Sequence, residues 1–331
     1  MTAVATIYDV ARRAGVSPAT VSRVFNGIPV SPAKAEAVRR AVDELKFVPN
    51  RTARTLRTQN AHAIALVIPD IENPYFTEMA RGIEDVASAA GYSVMLCNTD
   101  GDLEKEAGYL SVAASAHMAG VVIAAADPDS DVSPFAGGGR PVVAVDRRTA
   151  HDVDSVVMAN REAGALATTQ LWNAGYRRIA CITGPESIET ARDRAAGWAD
   201  ALAARGADPS PALLRHAPFR VDGGRDGVDE LLDAPDAPDA FVAGNNLIGV
   251  GVLQRLAERG LTPPRVGVAV IGSLPYTTLP PAAVTVVRLP ARKMGMSAAR
   301  MLLERIGGEA GPTRSVVLHG KVRPADPAPG R

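Results

Sequence analysis

Apolar residues recur at helical spacing in three short runs within the first 50 positions. The first run follows Thr6, with Asp9 placed to complete a capping box, and it stops before Gly15, which suits the left-handed residue after a helix. Serine followed by proline opens the other two runs, at 17–18 and 31–32, as a helix cap and a first-turn proline do. The pattern predicts three helices, whose buried faces carry Ile7, Val10, Ala11 and Ala14, then Val21, Val24 and Phe25, then Val38, Ala41, Val42 and Leu45.

A turn of three residues, 15–17, separates the first two predicted helices. This spacing is typical of a helix-turn-helix, in which the second helix lies in the major groove of DNA. Thr20, Ser22 and Arg23 fall off the apolar stripe of the second helix, so we expect them to face outwards. Any three-helix bundle shows caps and stripes, and a bundle without a DNA role remains the alternative here.

Beyond about residue 62, short apolar runs alternate with alanine-rich helical stretches. Runs that are apolar throughout indicate strands buried on both faces, which is typical of parallel sheets covered by helices. The predicted strands are AIALVIP (63–69), SVMLC (93–97), GVVIAA (120–125), PVVAVD (141–146), RIACIT (178–183), AFVAG (240–244) and VGVAVIG (266–272).

A faint internal repeat divides this region into two similar parts. A helical stretch ends in Gly91-Tyr92 before one strand, and another ends in Gly175-Tyr176 before the corresponding strand. The repeat predicts two α/β lobes with a cleft between them, the usual place for a small ligand.

Composition fits a soluble globular protein of about two domains. The chain has 331 residues, of which 47% are hydrophobic and 22% charged. No apolar run reaches the roughly 18 residues of a membrane span, and the first residues do not resemble a secretory signal. Two cysteines, Cys97 and Cys181, match no metal or redox spacing, so we expect a cytoplasmic protein.

The net charge of zero hides an asymmetry between the two parts of the chain. Residues 1–60 hold ten Lys/Arg and four Asp/Glu, a net charge of +6, which leaves −6 on the remainder. A basic head on an acidic body predicts that the head meets a polyanion. From charge alone, a solvated helical face is an equally good explanation.

Three segments resemble the LacI/GalR family of bacterial transcriptional regulators. They are TIYDVARRAGVSPATVSRVFNG, FVPNRTARTLR and IALVIPDIENPYFTEMARGIEDVASAAGYSVMLCNTD. The resemblance implies an α/β protein: a helix-turn-helix domain (1–48), a hinge helix and linker (49–61), and a two-lobed core like the periplasmic binding proteins (62–331). It further implies an N-lobe of about 62–158 plus 288–315 and a C-lobe of about 159–287 plus 316–323. The proline-rich residues 324–331 are expected to be disordered.

Family membership would make the second helix the recognition helix. The DNA-binding residues that the resemblance implies are Tyr8, Ser17, Pro18, Ala19, Thr20, Ser22, Arg23, Asn26, Asn50, Ala53, Arg54 and Leu56. Arg23 is the candidate for direct readout, because a guanidinium can donate two hydrogen bonds to guanine. Ser17 could instead be only a helix cap, and Tyr8 a core aromatic.

Residues 49–58 resemble the family's hinge helix. Asn50 is a candidate N-cap, and Ala53 and Leu56 share one face. A helix of about eight residues is unstable alone, so it should form only on DNA and against its dimer mate. In the family, Leu56 would be the wedge that enters the minor groove and bends the duplex. The alternative is an ordinary linker leucine, although Arg54 and Arg57 flank it.

The resemblance also implies an effector site in the cleft. Its candidate residues are Tyr75, Phe76, Asp146, Arg194, Phe219 and Asn245. The aromatic rings would stack on a sugar or base, and the polar groups would bond its hydroxyls. Alternatives remain: Asp146 could pair with Arg192, Phe219 could be core, and Asn245-Asn246 could cap a helix from Leu247.

One segment departs from the family pattern. The family often has Gly-aromatic-Asp-Asp after the last core strand, whereas Gly272-Ser273-Leu274-Pro275 carries no acid here. The effector could therefore be less polyhydroxylated, or be held differently, or the response to any ligand could be weak.

The predicted function is a ligand-responsive repressor that binds a palindromic operator as a homodimer. A small-molecule binding protein without a DNA role is the rival, but it would need neither the basic head nor Leu56. An enzyme is third, because no nucleophile-elbow, zinc-protease, phosphate-loop or dinucleotide motif occurs. We expect no cofactor, metal or membrane contact.

Overall fold

The computed structural model describes residues 5–25, 28–47, 61–274 and 283–326. The chain forms two compact units, 1–60 and 61–331, and the boundary lies one residue before the predicted end of the linker. Every helix among the described residues is too short or too polar to cross a membrane.

The described part of the first unit has three helices, as predicted: α1 (Ile7–Ala14), α2 (Pro18–Phe25) and α3 (Pro32–Leu45). Thr6 and Asp9 make the capping box on α1, and Gly15 adopts the left-handed conformation at φ 66°. Val10, Val21 and Val38 form the centre of a small core with Ala11 and Ala41.

Two details of the head differ from the sequence pattern. Proline opens α3 as predicted, but the side chain of the preceding Ser31 makes no capping hydrogen bond. Phe25 is 36% exposed rather than buried, although its ring lies 5.9 Å from that of Phe47. Because α2 is short and the core is small, its last residue reaches the edge of the bundle.

The first sheet builds the N-lobe. Within the described residues it has six parallel strands in the order β11-β5-β4-β3-β1-β2. The strands are β1 (Ala61–Ile68), β2 (Ser93–Asn98), β3 (Met118–Ile123), β4 (Val142–Asp146), β5 (Asp154–Met158) and β11 (Ser315–Leu318). The helices of this lobe are α4 (Pro74–Ala89), α5 (Leu103–Ser115), α6 (Ser133–Ala136) and α11 (Ala291–Ile306).

The second sheet builds the C-lobe, with the described strands in the order β12-β10-β9-β8-β6-β7. All its pairs are parallel except β10 with β12. The strands are β6 (Ile179–Thr183), β7 (Leu214–His216), β8 (Ala240–Ala243), β9 (Gly267–Ile271), β10 (Thr285–Arg288) and β12 (Lys321–Arg323). The helices are α7 (Asn160–Asn173), α8 (Glu189–Ala203), α9 (Val221–Leu232) and α10 (Asn246–Glu258), with a 3₁₀ turn at Pro211–Leu213.

Within the described residues, the chain crosses between the lobes three times. The first two crossings, after β5 and after β10, lie within a residue or two of the expected boundaries. The third was placed wrongly: β11 pairs with β5 through Leu318, so the N-lobe extends past residue 315 and the chain crosses between β11 and β12.

The C-terminal prediction is also partly wrong. Residues 324–326 lie among the described residues, and the backbone N–H of Ala325 donates to Thr285 Oγ1 at 3.1 Å. The rest of the predicted tail, 327–331, lies outside the described residues.

The internal repeat corresponds to the same local geometry in both lobes. Gly91 and Gly175 follow α4 and α7 with φ of 80° and 98°, a conformation that glycine adopts without strain. The following tyrosines pack against the lobes' cores, and Tyr176 donates its hydroxyl hydrogen to the carbonyl of Pro264 at 2.7 Å. The strands that follow are not equivalent, however, because β2 lies at the edge of its sheet whereas β6 lies between β8 and β7, so the expectation of corresponding strands is wrong.

Candidate functional site

The outward side of α2, with the residue before it, presents four of the twelve predicted DNA-contacting residues to solvent. Ser17, Pro18, Ala19 and Arg23 are exposed, while Thr20 and Ser22 are partly buried. Val21 is fully buried on the opposite side and fixes the rotation of the helix on the bundle. The exposed side therefore carries short side chains around a single long cation.

Ser17 acts as a helix cap in this structure. Its Oγ accepts the backbone N–H of Thr20 at 3.2 Å and lies 3.0 Å from Thr20 Oγ1. The capping alternative is therefore correct, and a further bond to phosphate stays a prediction. Tyr8 is 67% exposed at the start of α1, so the core alternative for this residue is wrong.

Positive charge on the head divides into paired and unpaired side chains. Three exposed arginines make surface ion pairs, Arg12 with Asp9, Arg13 with Glu44 and Arg39 with Glu36. Four exposed cations form no ion pair with a described residue: Arg23, Lys34, Arg40 and Lys46. These four keep their charge available for a polyanion.

Several predicted DNA contacts cannot be placed. Asn26, Asn50, Ala53, Arg54 and Leu56 lie outside the described residues, as does the whole predicted hinge helix.

A cavity of about 340 Å³ lies between the two lobes of the core. It is lined by all six predicted effector residues: Tyr75, Phe76, Asp146, Arg194, Phe219 and Asn245. The six come from five separate stretches of chain, and five of them are at least nine-tenths buried. The six residues that the sequence analysis predicted as effector contacts therefore lie around one cavity in the fold.

The aromatic wall belongs to the first turn of α4, where the side chain of Asn73 caps the helix. Tyr75 and Phe76 meet edge to face, with ring centroids 5.2 Å apart. The hydroxyl of Tyr75 points to Met294 Sδ at 3.3 Å. Burial, reinforced by the charge of Asp146, raises the pKa of Tyr75 well above its ordinary value, so the phenol stays neutral.

Asp146 ends β4 with φ 67°, a conformation that aspartate tolerates better than most residues. Its buried carboxylate pairs with the Nε of Arg147 at 3.4 Å, so Arg147 is its partner rather than Arg192. Arg147 also contacts the carbonyl of Ala126, whose N–H donates to the buried Glu106 at 2.7 Å. This chain of contacts fixes the acid at the edge of the cavity.

Arg194 extends from α8 and is 5% exposed. Its Nε donates to Asn160 Oδ1 at 2.9 Å and its Nη1 to the carbonyl of Gly244 at 2.7 Å. Both acceptors are neutral. Burial lowers the pKa of Arg194, and the charges of Asp146 and Asp193 act in the opposite direction, although no described carboxylate forms an ion pair with this guanidinium.

Asn245 and Phe219 line the cavity from the C-lobe. Asn245 caps α10 by accepting the N–H of Ile248 at 2.8 Å, so the capping alternative is correct, one residue earlier than expected. The cap occupies the amide oxygen and leaves the amide nitrogen, which reaches the carbonyl of Phe219 at 3.4 Å. The Phe219 ring lies over Gly184, where a Cβ atom would come within 2.1 Å of it.

Sequence reasoning missed several residues of this wall. The described lining also includes Asp70, Asn73, Asp100, Asp127, Arg147, Ile188, Arg220 and Asn246. Most of them follow a strand or begin a helix, so the rule that ligands bind beyond the carboxyl ends of parallel strands could have found them. The described residues hold no cluster of three or more histidine, cysteine or acidic side chains suited to a metal.

Comparison with known proteins identifies both units. Residues 6–50 match the family of bacterial regulatory proteins, lacI family, and residues 61–321 match the periplasmic binding proteins and sugar binding domain of LacI family. The chain belongs to the LacI family. It is a DNA-binding transcriptional regulator, not an enzyme, and the resemblance seen in the three sequence segments is confirmed.

Relatives match along nearly the whole LacI-family chain. A ribose operon repressor of Halalkalibacterium halodurans is 33% identical over 305 residues, covering 91% of this chain and 90% of the relative. The HTH-type transcriptional regulator CelR of Thermobifida fusca is 35% identical over 326 residues, covering 92% of each. A solved transcriptional regulator CelR–cellobiose complex is 31% identical with a TM-score of 0.73, covering 98% of this chain and all of that one.

Proposed function

We propose that this LacI-family regulator represses transcription as a homodimer on a palindromic operator, and that a small effector in the interlobe cavity sets its affinity for DNA. The observation that carries the proposal is the convergence of Tyr75, Phe76, Asp146, Arg194, Phe219 and Asn245 on one buried space. Because it acts on DNA, the protein would work in the bacterial cytoplasm.

The DNA part rests on α2 and the charge around it. Arg23 is exposed on the side of α2 opposite the buried Val21, where its guanidinium can reach a guanine in the major groove. Lys34, Arg40 and Lys46 add unpaired charge for phosphates. Tyr8, Ser17, Pro18, Ala19, Thr20 and Ser22 would make the remaining contacts of this unit, together with Asn26.

The segment between the two units would complete the operator contact. Asn50, Ala53 and Arg54 belong to the proposed hinge helix, and Leu56 is its proposed wedge in the minor groove. A homodimer supplies two such segments to one palindrome.

The effector part rests on the size and chemistry of the cavity. About 340 Å³ lies at the small end of ligand sites and suits a molecule of sugar size. Aromatic rings and fixed polar groups line it, the combination that holds a sugar ring. The CelR relative was solved with cellobiose, and another relative is a ribose operon repressor, which supports a carbohydrate-like effector here.

Effector binding and operator binding would be coupled because the effector binds one arrangement of the two lobes more tightly than another. The lobes meet around the cavity, so a ligand that fits one relative position of the lobes better than another shifts their equilibrium. A shift of about 1–3 kcal/mol changes operator affinity by roughly 5- to 150-fold.

The DNA part is tested by gel retardation with fragments from the protein's own gene region. Specific retardation should weaken steeply as salt rises, because phosphate contacts release counterions. Leu56→Ala should weaken specific binding more than binding to random DNA. Affinity that does not change with salt, or equal loss on both DNAs, would contradict this part.

The effector part is tested with Asp146→Asn, which keeps a residue that tolerates positive φ but removes the carboxylate. A screen of sugars by thermal shift should find a ligand that alters retardation of the wild type. Asp146→Asn should bind the same operator and lose most of that response. The control for the loss of charge is Asp208→Asn, which removes an exposed carboxylate from a distant part of the C-lobe. A full response in Asp146→Asn would contradict the assigned cavity.

A further inference from the structure

A carboxylate of the C-lobe binds a segment of the N-lobe beside the interlobe cavity. Residues 147–153 run from the end of β4 to the start of β5, and Arg148 is the second residue of this segment. The backbone N–H of Arg148 donates to Glu189 Oε2 at 3.1 Å, and its Nη1 donates to Glu189 Oε1 at 2.9 Å. Glu189 lies in the first turn of α8, so both bonds join one lobe to the other. One carboxylate therefore holds both the backbone and the side chain of a residue on the opposite lobe.

This contact directly adjoins the cavity on both lobes. The two residues before Arg148 line the cavity from the N-lobe, and the residues on either side of Glu189 line it from the C-lobe. The side chain of Glu189 is 29% exposed and that of Arg148 is 51% exposed. A change in the distance between these two residues therefore also changes the distance between the two walls of the cavity.

A second ion pair joins the lobes at the mouth of the cavity. Arg220 precedes α9 in the C-lobe, and its Nη1 lies 3.7 Å from Oε2 of Glu72, which follows β1 in the N-lobe. A further N-lobe acid acts on the same arginine. The hydrogen bond from Lys105 lowers the pKa of Asp100, and the charge of Arg220 lowers it further. Two acids of the N-lobe thus attract one arginine of the C-lobe.

The inner pair has a similar charge environment with the lobes exchanged. Burial raises the pKa of Asp193 and the charge of Glu189 raises it further, while the charge of Arg148 lowers it. Arg192 and Arg161, which belong to the same lobe as Asp193, also lower it. Arg148 is thus attracted by two acids of the C-lobe, one of which has other cations beside it.

Strand order places the two pairs at different distances from the segments that connect the lobes. Those segments leave β5, β10 and β11, which lie at or next to one end of each sheet. Arg148 follows β4, the neighbour of β5, whereas Glu72 follows β1, two strands farther along the sheet. Two strand spacings amount to about 10 Å. A rotation that separates the lobes therefore lengthens the pair at the mouth more than the pair of Arg148.

We infer that the pairs Arg148–Glu189 and Arg220–Glu72 form an electrostatic latch, which sets how strongly the two lobes keep the arrangement described above. The latch belongs to the protein itself, so charge substitutions and salt should move the lobes without any ligand. Its consequence for DNA rests on the proposed function, in which the lobe arrangement sets operator affinity.

The test measures the distance between the lobes in the full-length protein by electron paramagnetic resonance. Spin labels are attached after Ala107→Cys on α5 and Ala203→Cys on α8, two exposed and uncharged positions on opposite lobes. The native Cys97 and Cys181 are buried and should not react. Labelled chains are assembled with an excess of unlabelled chains, so that most distances are measured within one chain.

Reversal of one charge should move the lobes. Arg148→Glu replaces attraction to Glu189 by repulsion, about twice the effect of losing one surface pair, so the population of the wild-type distance should fall about 2- to 30-fold relative to other distances. Glu189→Arg should act in the same way, and the double reversal Arg148→Glu/Glu189→Arg should restore most of the wild-type distance. Unchanged distances in both single variants, or no recovery in the double variant, would overturn the inference.

The matched control reverses an arginine whose ion pair lies within one lobe. Arg161 makes bonds of 2.6 and 2.9 Å to Asp200 and does not join the lobes, although α8 carries both Asp200 and Glu189. Arg161→Glu should leave the distance between the lobes unchanged. An equal response to Arg161→Glu and Arg148→Glu would mean that surface charge in general, rather than the latch, moves the lobes.

Salt should act on the same equilibrium, because all four latch side chains are at least partly exposed and are screened by ions. Raising the salt from about 0.05 to 0.5 M should move the wild-type distances towards those of Arg148→Glu. Glu189→Gln/Glu72→Gln, which lacks both carboxylates of the latch, should respond less. An equal salt response in the two proteins contradicts the latch. Thermal melting shows whether each variant is folded, and the single neutral variants Glu189→Gln and Glu72→Gln replace any reversal that is not.

Operator affinity separates this inference from the proposed function. Glu189→Gln and Glu72→Gln should change the affinity for the retarded fragment in one common direction, by about 1.5- to 5-fold each. If the variants move the lobes but leave this affinity unchanged, the latch stands and the proposed coupling to DNA falls. If the lobes do not move while a sugar still releases DNA from the wild type, the regulator proposal stands and the latch falls.

Discussion

The DNA-facing side of α2 and the interlobe cavity hold their polar side chains in opposite environments. Arg23 on α2 is exposed and has no ion-pair partner among the described residues, whereas Arg194 in the cavity is 5% exposed and bonded to two parts of the C-lobe. An exposed side chain can be exchanged with little effect on folding, while a buried one serves folding and ligand at once. Arg23 should therefore affect recognition with little effect on stability, whereas Arg194 should affect ligand binding and stability together.

Arg194→Met should produce the largest effect and show how far stability depends on the cavity. The change leaves Asn160 Oδ1 and the Gly244 carbonyl as buried acceptors without a donor, each worth about 1–3 kcal/mol, so the free energy of unfolding should fall by about 2–6 kcal/mol. Both tryptophans, Trp172 and Trp198, lie in C-lobe helices, so urea unfolding followed by tryptophan fluorescence reports on this unit.

Arg23→Met is the matched control for that experiment. An exposed arginine without an ion pair should change the free energy of unfolding by less than about 0.5 kcal/mol. Similar effects of the two substitutions would remove the contrast between the two regions.

Acid titration should show the same contrast between a buried ion pair of the core and an exposed ion pair of the head. Asp154 is 3% exposed and contacts Arg305 and Arg314, which hold its pKa at about 2 against an ordinary 3.8. A lowered pKa gives stability that is present above about pH 4 and is lost as the pH falls towards 2. The core should lose about 2 kcal/mol over this window by calorimetry, and Asp154→Asn should lack that component.

The head offers an exposed pair for comparison with Asp154. Arg13 and Glu44 contact each other, but both side chains are about half exposed. Glu44→Gln should leave the stability of the head within about 1 kcal/mol of the wild type at neutral pH. A larger loss would mean that surface charge stabilises the head as strongly as burial stabilises the core.

Arg23→Ala should act on DNA alone. Loss of a two-bond contact to guanine reduces discrimination between operator and random DNA by about 1–3 kcal/mol, without a change in unfolding. Competitive gel retardation at fixed salt measures the ratio. Arg39→Ala on α3, where the arginine pairs with Glu36, should weaken both complexes alike or not at all. A loss of equal size on both DNAs in Arg23→Ala would make this residue a phosphate contact.

Local signals in the sequence predicted the three described helices of the head. The capping box at Thr6, the left-handed Gly15 and the proline at α3 each involve residues within a turn of each other, and all three are observed. The long apolar strands were predicted for the same reason. Short strands with polar ends, such as β5 and β7, were missed because three to five residues carry too little pattern.

Long-range contacts lay beyond sequence reasoning. Asp154 meets arginines 151 and 160 positions away, and nothing in the local pattern around it indicates either partner. Asn246 could be read as a cap, but its Nδ2, which has no hydrogen-bond partner among the described residues, depends on how α10 packs beside Gly272. The six cavity residues were found because the family resemblance and the rule for strand ends both mark them.

Thr6→Ala should give a small effect and test whether the head's stability is local. The substitution removes the hydroxyl that accepts the Asp9 N–H and donates to its carboxylate, which should destabilise α1 by about 1 kcal/mol. Ser31→Ala is the matched control, since Ser31 stands at the same position before α3 but makes no capping bond, and it should change nothing. Amide hydrogen exchange of α1 measures both variants, while the tryptophans report an unchanged core. Equal exchange in the two variants would show that packing against Val21 and Val38, rather than the cap, holds α1 in place.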